Sequence, residues 1–339
     1  KNSAYDKNIL PDNANFQKAI ASVEEGTDYR LIPMQLPWGE KANFQGVIDL
    51  VSMKAYKGDG KTVVDIPAEY KTQADEARLK LVEAAAEGED ALLERYFENG
   101  GLSDEEILQG MRKAIGTSNV IPVLVAAGAH MIGIGPLLDA LIALAPSPLD
   151  RPAALAQSPQ GEVKLEVSDT GPLAAYVWKT TADPFVGRQT FFRVYSGVMV
   201  SDSRVWNANK GEEERIASVQ VPFGKENLPV PAIHSGDIGT VAKLAVTTTG
   251  DTLTTREQNL ILPKPSYPNP LYRVAVAPKT QSDAAKMSST LTRLCEEDLT
   301  LSWEMEPATK QTLLFGMGDQ HIDVAVRRAE TKFQLSMNL

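Results

Sequence analysis

The spacing of apolar residues changes twice along the 339-residue chain, and each change falls at a cluster of prolines. In the first part apolar residues recur every three or four positions, as in Leu137, Leu141 and Ala145, which is the period of a helix. The segment 146–152 holds three prolines, which cannot continue that helix, and a second proline cluster occupies 263–270. We therefore predict domains over 1–145, 172–262 and 271–339, with linkers over 146–171 and 263–270.

The first domain ends in a short apolar run at 120–125, a turn, and the helix that stops at Ala145. This order is typical of the last strand–helix unit of a parallel α/β sheet. Upstream, apolar stripes of helical spacing alternate with acidic residues from about 65 to 117, and residues 103–106 (SDEE) predict a capping box. We interpret the acidic excess there as a solvated helical surface rather than a metal site.

Strand signals dominate from 172 to 262. Short β-branched and aromatic runs end at turn dipeptides, as residues 191–195 do before Ser196-Gly197, and this spacing favours a β-barrel. After residue 271 the order strand, helix, strand, strand, helix predicts most of a ferredoxin-like split βαβ domain. The fold class is therefore multidomain: α/β, then a β-barrel, then α+β.

Composition narrows the class of protein. The formal net charge is −10, which argues against a surface devoted wholly to nucleic acid but leaves room for a local basic patch. No apolar run reaches 18 residues and no signal peptide is visible, so we expect neither a membrane span nor export. The single cysteine, Cys295, is typical of a buried thiol in a reducing, cytoplasmic setting.

Two segments imitate nucleotide-binding motifs. Residues 55–62 (AYKGDGKT) satisfy a permissive phosphate-loop pattern, but such a loop must lead into a helix, whereas β-branched residues and Pro67 follow here. We therefore predict a hairpin turn. Residues 209–212 (NKGE) contain Asn-Lys-x-Glu between strand-like runs, which indicates a surface turn. No Asp-x-x-Gly occurs in the sequence.

Catalytic and metal-binding patterns are not found in the sequence. None of the three histidines, His130, His234 and His321, has a second His or Cys at metal-ligand spacing. Cys295 precedes Glu296 and Glu297, and acidic neighbours raise the pKa of a thiol. We predict no catalytic residue and no metal site.

Long, correctly ordered segments of the second and third domains resemble elongation factor G. Residues 183–197 (DPFVGRQTFFRVYSG), 235–238 and 247–253 resemble its second domain. Residues 278–280 and 294–298 resemble its third domain. Residues 316–323 (GMGDQHID) match the family's Gly-Met-Gly-Glu-Leu-His-Leu-Glu motif, with Asp for Glu twice and Gln for Leu.

The resemblance extends upstream. Residues 13–16 resemble the segment after the family's guanine-specificity motif, and residues 44–50 resemble the insertion within its G domain. The chain would then comprise the end of a P-loop-type G domain with an insertion over about 35–117, a β-barrel like domain II of elongation factor Tu, and the ferredoxin-like domain. The phosphate loop and both switches would lie before residue 1.

The guanine-reading residues depart from the family pattern. The specificity motif should fall on residues 7–10 (KNIL), where Leu10 replaces the Asp that binds guanine. The family's Ser-Ala near the base aligns with Ala127 and Gly128, whose backbone could still contact guanine. The resemblance implies that the intact protein binds GTP with Mg²⁺, and we expect this chain alone neither to bind GTP nor to act as an enzyme.

The implied function is that of an elongation factor, which hydrolyses GTP on the ribosome to drive tRNA–mRNA translocation. This portion would dock on the ribosome and transmit conformational change, with Arg188, Arg193 and Lys210 as candidate RNA contacts. Lys279 and His321 would lie near the junction with the G domain. We expect no DNA or membrane partner. Alternatives are a divergent paralogue of the ribosome-protection or release type, and a non-catalytic ribosome- or RNA-binding module.

Overall fold

The computed structural model describes residues 15–117, 120–183, 187–224 and 226–339, and the chain divides into two compact units between Ser147 and Pro148. The guanine-specificity segment predicted at 7–10 lies outside the described residues. Within the described part of the chain, no helix combines the length and the apolar character needed to cross a bilayer.

The first unit is built around two parallel strands that are far apart in sequence. Its elements are α1 (Phe16–Gly26), β1 (Arg30–Pro33), β2 (Gln35–Trp38), β3 (Gly46–Asp49), β4 (Lys54–Lys57), β5 (Thr62–Asp65), α2 (Ala68–Ala86), α3 (Asp90–Asn99), α4 (Asp104–Thr117), β6 (Val120–Val123) and α5 (Ile134–Leu144). Strand β1 pairs in parallel with β6. The segment between them forms the antiparallel sheet β2-β3-β4-β5 and the helices α2, α3 and α4.

Local sequence explains two of these elements. The predicted capping box is confirmed at the start of α4, where Glu106 accepts the Ser103 N–H and its own N–H donates to the Ser103 hydroxyl. The Ser103 N–H, with Arg95 and the Ser103 hydroxyl, lowers the pKa of Glu106 to about 2. The predicted hairpin turn at 55–62 is also confirmed, because β4 and β5 pair antiparallel from Lys57 and Thr62 outward.

The second unit contains the remaining elements. They are β7 (Ala154–Ser158), β8 (Gly161–Leu165), β9 (Ala174–Asp183), β10 (Gly187–Ser196), β11 (Met199–Val200), β12 (Ser203–Asn207), β13 (Glu212–Ile216), β14 (Val219–Phe223), β15 (Glu226–Val230), β16 (Ala232–Ile233), β17 (Ile238–Ala242), β18 (Thr252–Thr254), β19 (Tyr272–Pro278), α6 (Gln281–Glu297), β20 (Ser302–Met305), β21 (Thr312–Gly316), α7 (Asp319–Phe333) and β22 (Met337–Asn338).

Eight of these strands form one antiparallel sheet in the order β13-β12-β18-β9-β10-β17-β14-β15. Strands from both halves of the sheet bury side chains in a single core, including Phe192 on β10, Ile216 on β13 and Val219 on β14. A flat sheet could not bring these side chains together, so the sheet curls into the β-barrel that the strand pattern predicted. The Asn-Lys-x-Glu segment is the tight turn between β12 and β13, as predicted.

Residues 154–165, which lie within the segment predicted as a linker, form the hairpin β7–β8. Its Ala156 and Leu165 are buried in a small core with Leu260 and Leu262, and the Gln157 N–H donates to the Ile261 carbonyl (2.8 Å). This hairpin therefore packs as part of the second unit rather than as an extended connector.

The ferredoxin-like domain is confirmed by its topology. Strands β19 to β22 pair in the order β20-β21-β19-β22, and α6 and α7 pack against the sheet. The last strand begins at Met337, because Gln334 adopts a left-handed conformation (φ 53°) that ends α7. Leu335 then enters the core before the strand starts.

A buried carboxylate fixes the loop that precedes β18. Glu214 is 3% exposed and accepts the N–H groups of Ala245, Val246 and Thr247 at 2.9–3.0 Å, together with the Thr247 hydroxyl. Burial by itself raises the pKa of Glu214, but these hydrogen bonds outweigh it and hold the pKa below its ordinary value. The loop is therefore bound to the barrel through an ionised side chain.

We predict that Glu214→Gln lowers the free energy of unfolding by about 1–3 kcal/mol, because the amide is uncharged and turns a donor toward the backbone N–H groups. Urea unfolding at neutral pH, followed by circular dichroism, measures the change. The matched control is Glu213→Gln: Glu213 is exposed and pairs with Arg204 at the surface, so its loss should cost less than about 0.5 kcal/mol.

The pH dependence of this contribution has a defined sign. Because the folded-state pKa of Glu214 lies below its ordinary value of 4.5, the stabilisation is present above that value and is lost as pH falls through the lowered pKa. The stability gap between the wild type and Glu214→Gln should narrow on acidification, and a gap that widens would contradict this assignment.

Candidate functional site

The C-terminal end of α6 carries three consecutive acidic residues, Glu296, Glu297 and Asp298, and each binds residues outside α6. Negative charge at the end of a helix is disfavoured by the helix dipole, and the last carbonyl groups there have no partner within the helix. These carboxylates and carbonyls therefore require partners from outside α6. We call the three residues the acidic triplet.

Glu296 binds the barrel in two ways. Its carboxylate pairs with the Arg188 guanidinium on β10 at 2.9 Å, and both side chains are about one-third exposed or less. Its backbone carbonyl accepts the Thr180 hydroxyl of β9 at 3.0 Å, which satisfies one of the unpaired carbonyls at the helix end. The barrel thus caps a helix of the ferredoxin-like domain.

Glu297 is the most deeply buried charge of the acidic triplet. Its side chain is 7% exposed, and one carboxylate oxygen accepts both the Ala182 N–H of β9 (2.5 Å) and the Lys332 ammonium of α7. A buried carboxylate is tolerated only when it is paired and hydrogen-bonded. The pairing here needs one partner from each domain, so it ties the barrel to the ferredoxin-like domain.

Asp298 joins the end of α6 to the start of α7. Its carboxylate lies 3.1 Å from the Nε2 of His321 and also accepts the N–H and hydroxyl of Thr300. The His321 Nδ1 accepts the Met317 N–H at 3.1 Å, so Nε2 carries the proton and donates it to Asp298. Burial raises the pKa of Asp298, but the bonds from Thr300 and His321 outweigh it and keep the pKa below its ordinary value.

The structure separates the three candidate RNA contacts. Arg188 faces the acidic triplet. Arg193 lies on the outer face of β10, with its guanidinium 5.4 Å from the Tyr195 ring centroid. Lys210 is exposed in the β12–β13 turn, and strands β18 and β9 lie between that hairpin and β10 in the sheet. The prediction that these side chains contact RNA stays a prediction.

An aromatic and cationic patch surrounds Arg193, and sequence reasoning missed most of it. The Trp178 and Phe191 rings lie 5.7 Å apart, and the Lys179 ammonium lies 5.9 Å from the Phe191 centroid. Trp178 is 41% exposed and Ile238 of β17 is also exposed beside Arg193. The alternation of Phe191, Arg193 and Tyr195 on one face of β10 was a signal that could have located the patch. We call Trp178, Lys179, Phe191, Arg193 and Ile238 the outer patch.

The guanine-side candidates occupy the loop after β6. Ala127 is buried and donates its N–H to the Ile132 carbonyl at 2.9 Å, whereas Gly128 is exposed. Of the two backbone donors, the Ala127 N–H is therefore already used within the loop. Lys279 is exposed at the end of β19, where α6 follows. Neither the guanine contacts nor the interdomain roles of Lys279 and His321 are tested by this geometry.

The environment of Cys295 disfavours the reactive thiolate form of its side chain. Burial, with Asp298 and Glu296 adding to it, raises the pKa of the thiol to about 11, so the group is protonated at neutral pH. Among the described residues, His, Cys, Asp and Glu side chains form no group of three or more that could hold a metal ion. The acidic triplet and the outer patch are therefore the two features of the second unit that we consider for function.

Comparison with known proteins matches both domains of the second unit. The family model described as Elongation factor G domain 2 matches residues 172–256, and the one described as Elongation Factor G, domain III matches residues 267–339. The crystal structure of ttk003000868 from Thermus thermophilus is similar with a TM-score of 0.78 and 27% identity, over 96% of this chain and 47% of that one. The chain therefore spans about half the length of that relative. The family resemblance inferred from the sequence is confirmed.

We predict that Glu297→Gln lowers the free energy of unfolding of the second unit by about 2–4 kcal/mol, because Lys332 then loses its counter-charge in a largely buried setting. Urea unfolding measures the loss. The control Glu330→Gln changes an exposed acid on α7 and should have little effect. Equal stability of the two variants would show that the Glu297 pairing is not needed.

Proposed function

Since the chain carries domains 2 and III of the elongation factor G type, we propose that it is the central portion of a translation factor that works on the ribosome. The intact protein would bind and hydrolyse GTP with Mg²⁺ in the cytoplasm to drive tRNA–mRNA translocation. In this portion the barrel docks on ribosomal RNA and the ferredoxin-like domain transmits conformational change. The observation that carries the docking role is the outer patch.

The chemistry of the outer patch suits an RNA partner. Exposed Trp178 and half-buried Phe191 offer ring faces on which unpaired bases can stack, and such stacking contributes about 1–3 kcal/mol per base. Lys179 and Arg193 place two cations beside the rings, where phosphates flanking a stacked base would lie. The patch supplies the local positive charge that a chain of net charge −10 needs for an RNA partner.

We predict that Trp178→Ala weakens binding to small ribosomal subunits roughly tenfold or more, because a stacked base loses its platform. Arg193→Gln should also weaken binding and reduce the slope of log affinity against log salt by about one unit. Sedimentation binding at several salt concentrations measures both effects.

The controls for this experiment lie elsewhere on the same barrel. Phe223→Ala removes an aromatic ring that is 71% exposed on β14, and Arg204→Gln removes a cation that is paired with Glu213. Both variants should bind as the wild type does. If all four variants bind equally, the outer patch is not the docking surface.

We further predict that this chain gives no measurable heat of GTP binding in titration calorimetry with Mg²⁺ present. Leu10 replaces the acid that would bind guanine, and the Ala127 N–H is already bound to Ile132. A family member that binds GTP, titrated under the same conditions, provides the positive control. Micromolar binding by the chain would contradict this interpretation of residues 1–16 and 127–128.

A further inference from the structure

We infer that the acidic triplet is a relay that couples the position of strands β9 and β10 to the turn at residues 316–318, from which α7 starts. Such a relay would be a physical route for the transmission of conformational change proposed above, and its role in the protein rests on that proposed function. Its contacts all lie within the second unit. The relay can therefore be tested without GTP and without the ribosome.

The barrel side of the relay is held rigidly. Ala182 and Arg188 are directly paired across β9 and β10, so the two attachments to Glu297 and Glu296 leave from one rung of the sheet. The hydroxyl of Thr180 donates to the Glu296 carbonyl, so its oxygen accepts from the Thr249 hydroxyl at 2.9 Å.

Thr249 belongs to the loop that Glu214 fixes at Thr247. In the same loop Asp251 is fully buried and accepts hydrogen bonds from Asn207 and the Thr248 N–H. The paired residues Ala182 and Arg188 are thus held on the barrel side and bonded to Glu297 and Glu296. A displacement of this pair therefore moves the C-terminal end of α6.

The far side of the relay is equally tight. Asp298 directly follows Glu297, and its N–H closes the last helical bond to Leu294 at 3.0 Å, so no flexible segment separates the attachments. Its carboxylate holds His321, whose Nδ1 holds the Met317 N–H. At Gly316 a side chain would come within 2.9 Å of Ile322 and 3.2 Å of His321, so the turn packs directly on that ring. Movement of Asp298 must move this turn or break its hydrogen bonds.

Hydrogen–deuterium exchange on the full chain tests the relay. The variants Thr180→Val and Arg188→Gln change the barrel side, where both residues bond to Glu296 of α6. We expect exchange in the peptide containing the Met317 amide to accelerate about tenfold, because its acceptor His321 loses a fixed position. Residues 302–312 of β20–β21 lie in the same domain and should be unaffected. Arg204→Gln removes an exposed ion pair with Glu213 on the β12–β13 hairpin and should change neither segment.

Reciprocity provides a second test, because coupling between two sites acts in both directions. His321→Gln should accelerate exchange of the Ala182 amide, which donates to Glu297. If the barrel variants accelerate exchange at Ala182 but leave Met317 unchanged, the acidic triplet only holds the domains together and the inference is overturned. Uniform acceleration over 271–339 would also overturn it, since that shows general loosening. Loss of ribosome binding by outer-patch variants bears on the proposed function and leaves this result untouched.

Discussion

The second unit depends on the burial of one charged carboxylate, that of Glu297. It lies at a helix end whose dipole repels it, and it is almost removed from water, so its charge has to be balanced by neighbours. Lys332 of its own domain provides the opposite charge and Ala182 of the barrel provides a hydrogen bond. Separating the domains would leave this hydrogen bond unmade. Glu297 therefore helps to fix the arrangement of the two domains, together with the bonds that Glu296 makes to Arg188 and Thr180 of the barrel.

The elements that sequence reasoning predicted correctly are those fixed by near neighbours. The Ser103–Glu106 capping box and the hairpin at 55–62 depend on residues within a few positions, and the barrel strands are marked by aromatic and β-branched runs. The hairpin β7–β8 was missed because Ala154–Ser158 is poor in such residues. Its stability comes from Leu260 and Leu262, about a hundred positions downstream, which no local pattern reveals.

The site was harder to predict, because a charged side chain does not show its partner in the sequence. Arg188 and Arg193 look alike as basic residues of one strand, yet one binds Glu296 of the next domain and the other faces outward over Tyr195. Their difference follows from strand register, since Arg188 lies on the rung of Ala182 beside α6. Trp178 reaches Phe191 through an irregularity in the β9–β10 pairing between Phe191 and Phe192, which the sequence does not mark. The sequence singled out His321 through the motif at 316–323, whereas its hydrogen bond to Asp298 is visible only in the structure.

The same arrangement bears on the proposed docking of this acidic chain on RNA. Because Arg188 is neutralised by Glu296, the barrel does not present all of its basic residues to a partner, and the outer patch has only Lys179 and Arg193 for phosphates. A surface with few cations but with exposed rings gains affinity mainly from stacking, which is less sensitive to salt than phosphate contact. Arg188 instead joins the barrel to the ferredoxin-like domain through its ion pair with Glu296. The proposed docking and the inferred relay would use different faces of the same pair of strands, so an RNA partner on the outer patch would leave the bonds from β9 and β10 to α6 in place.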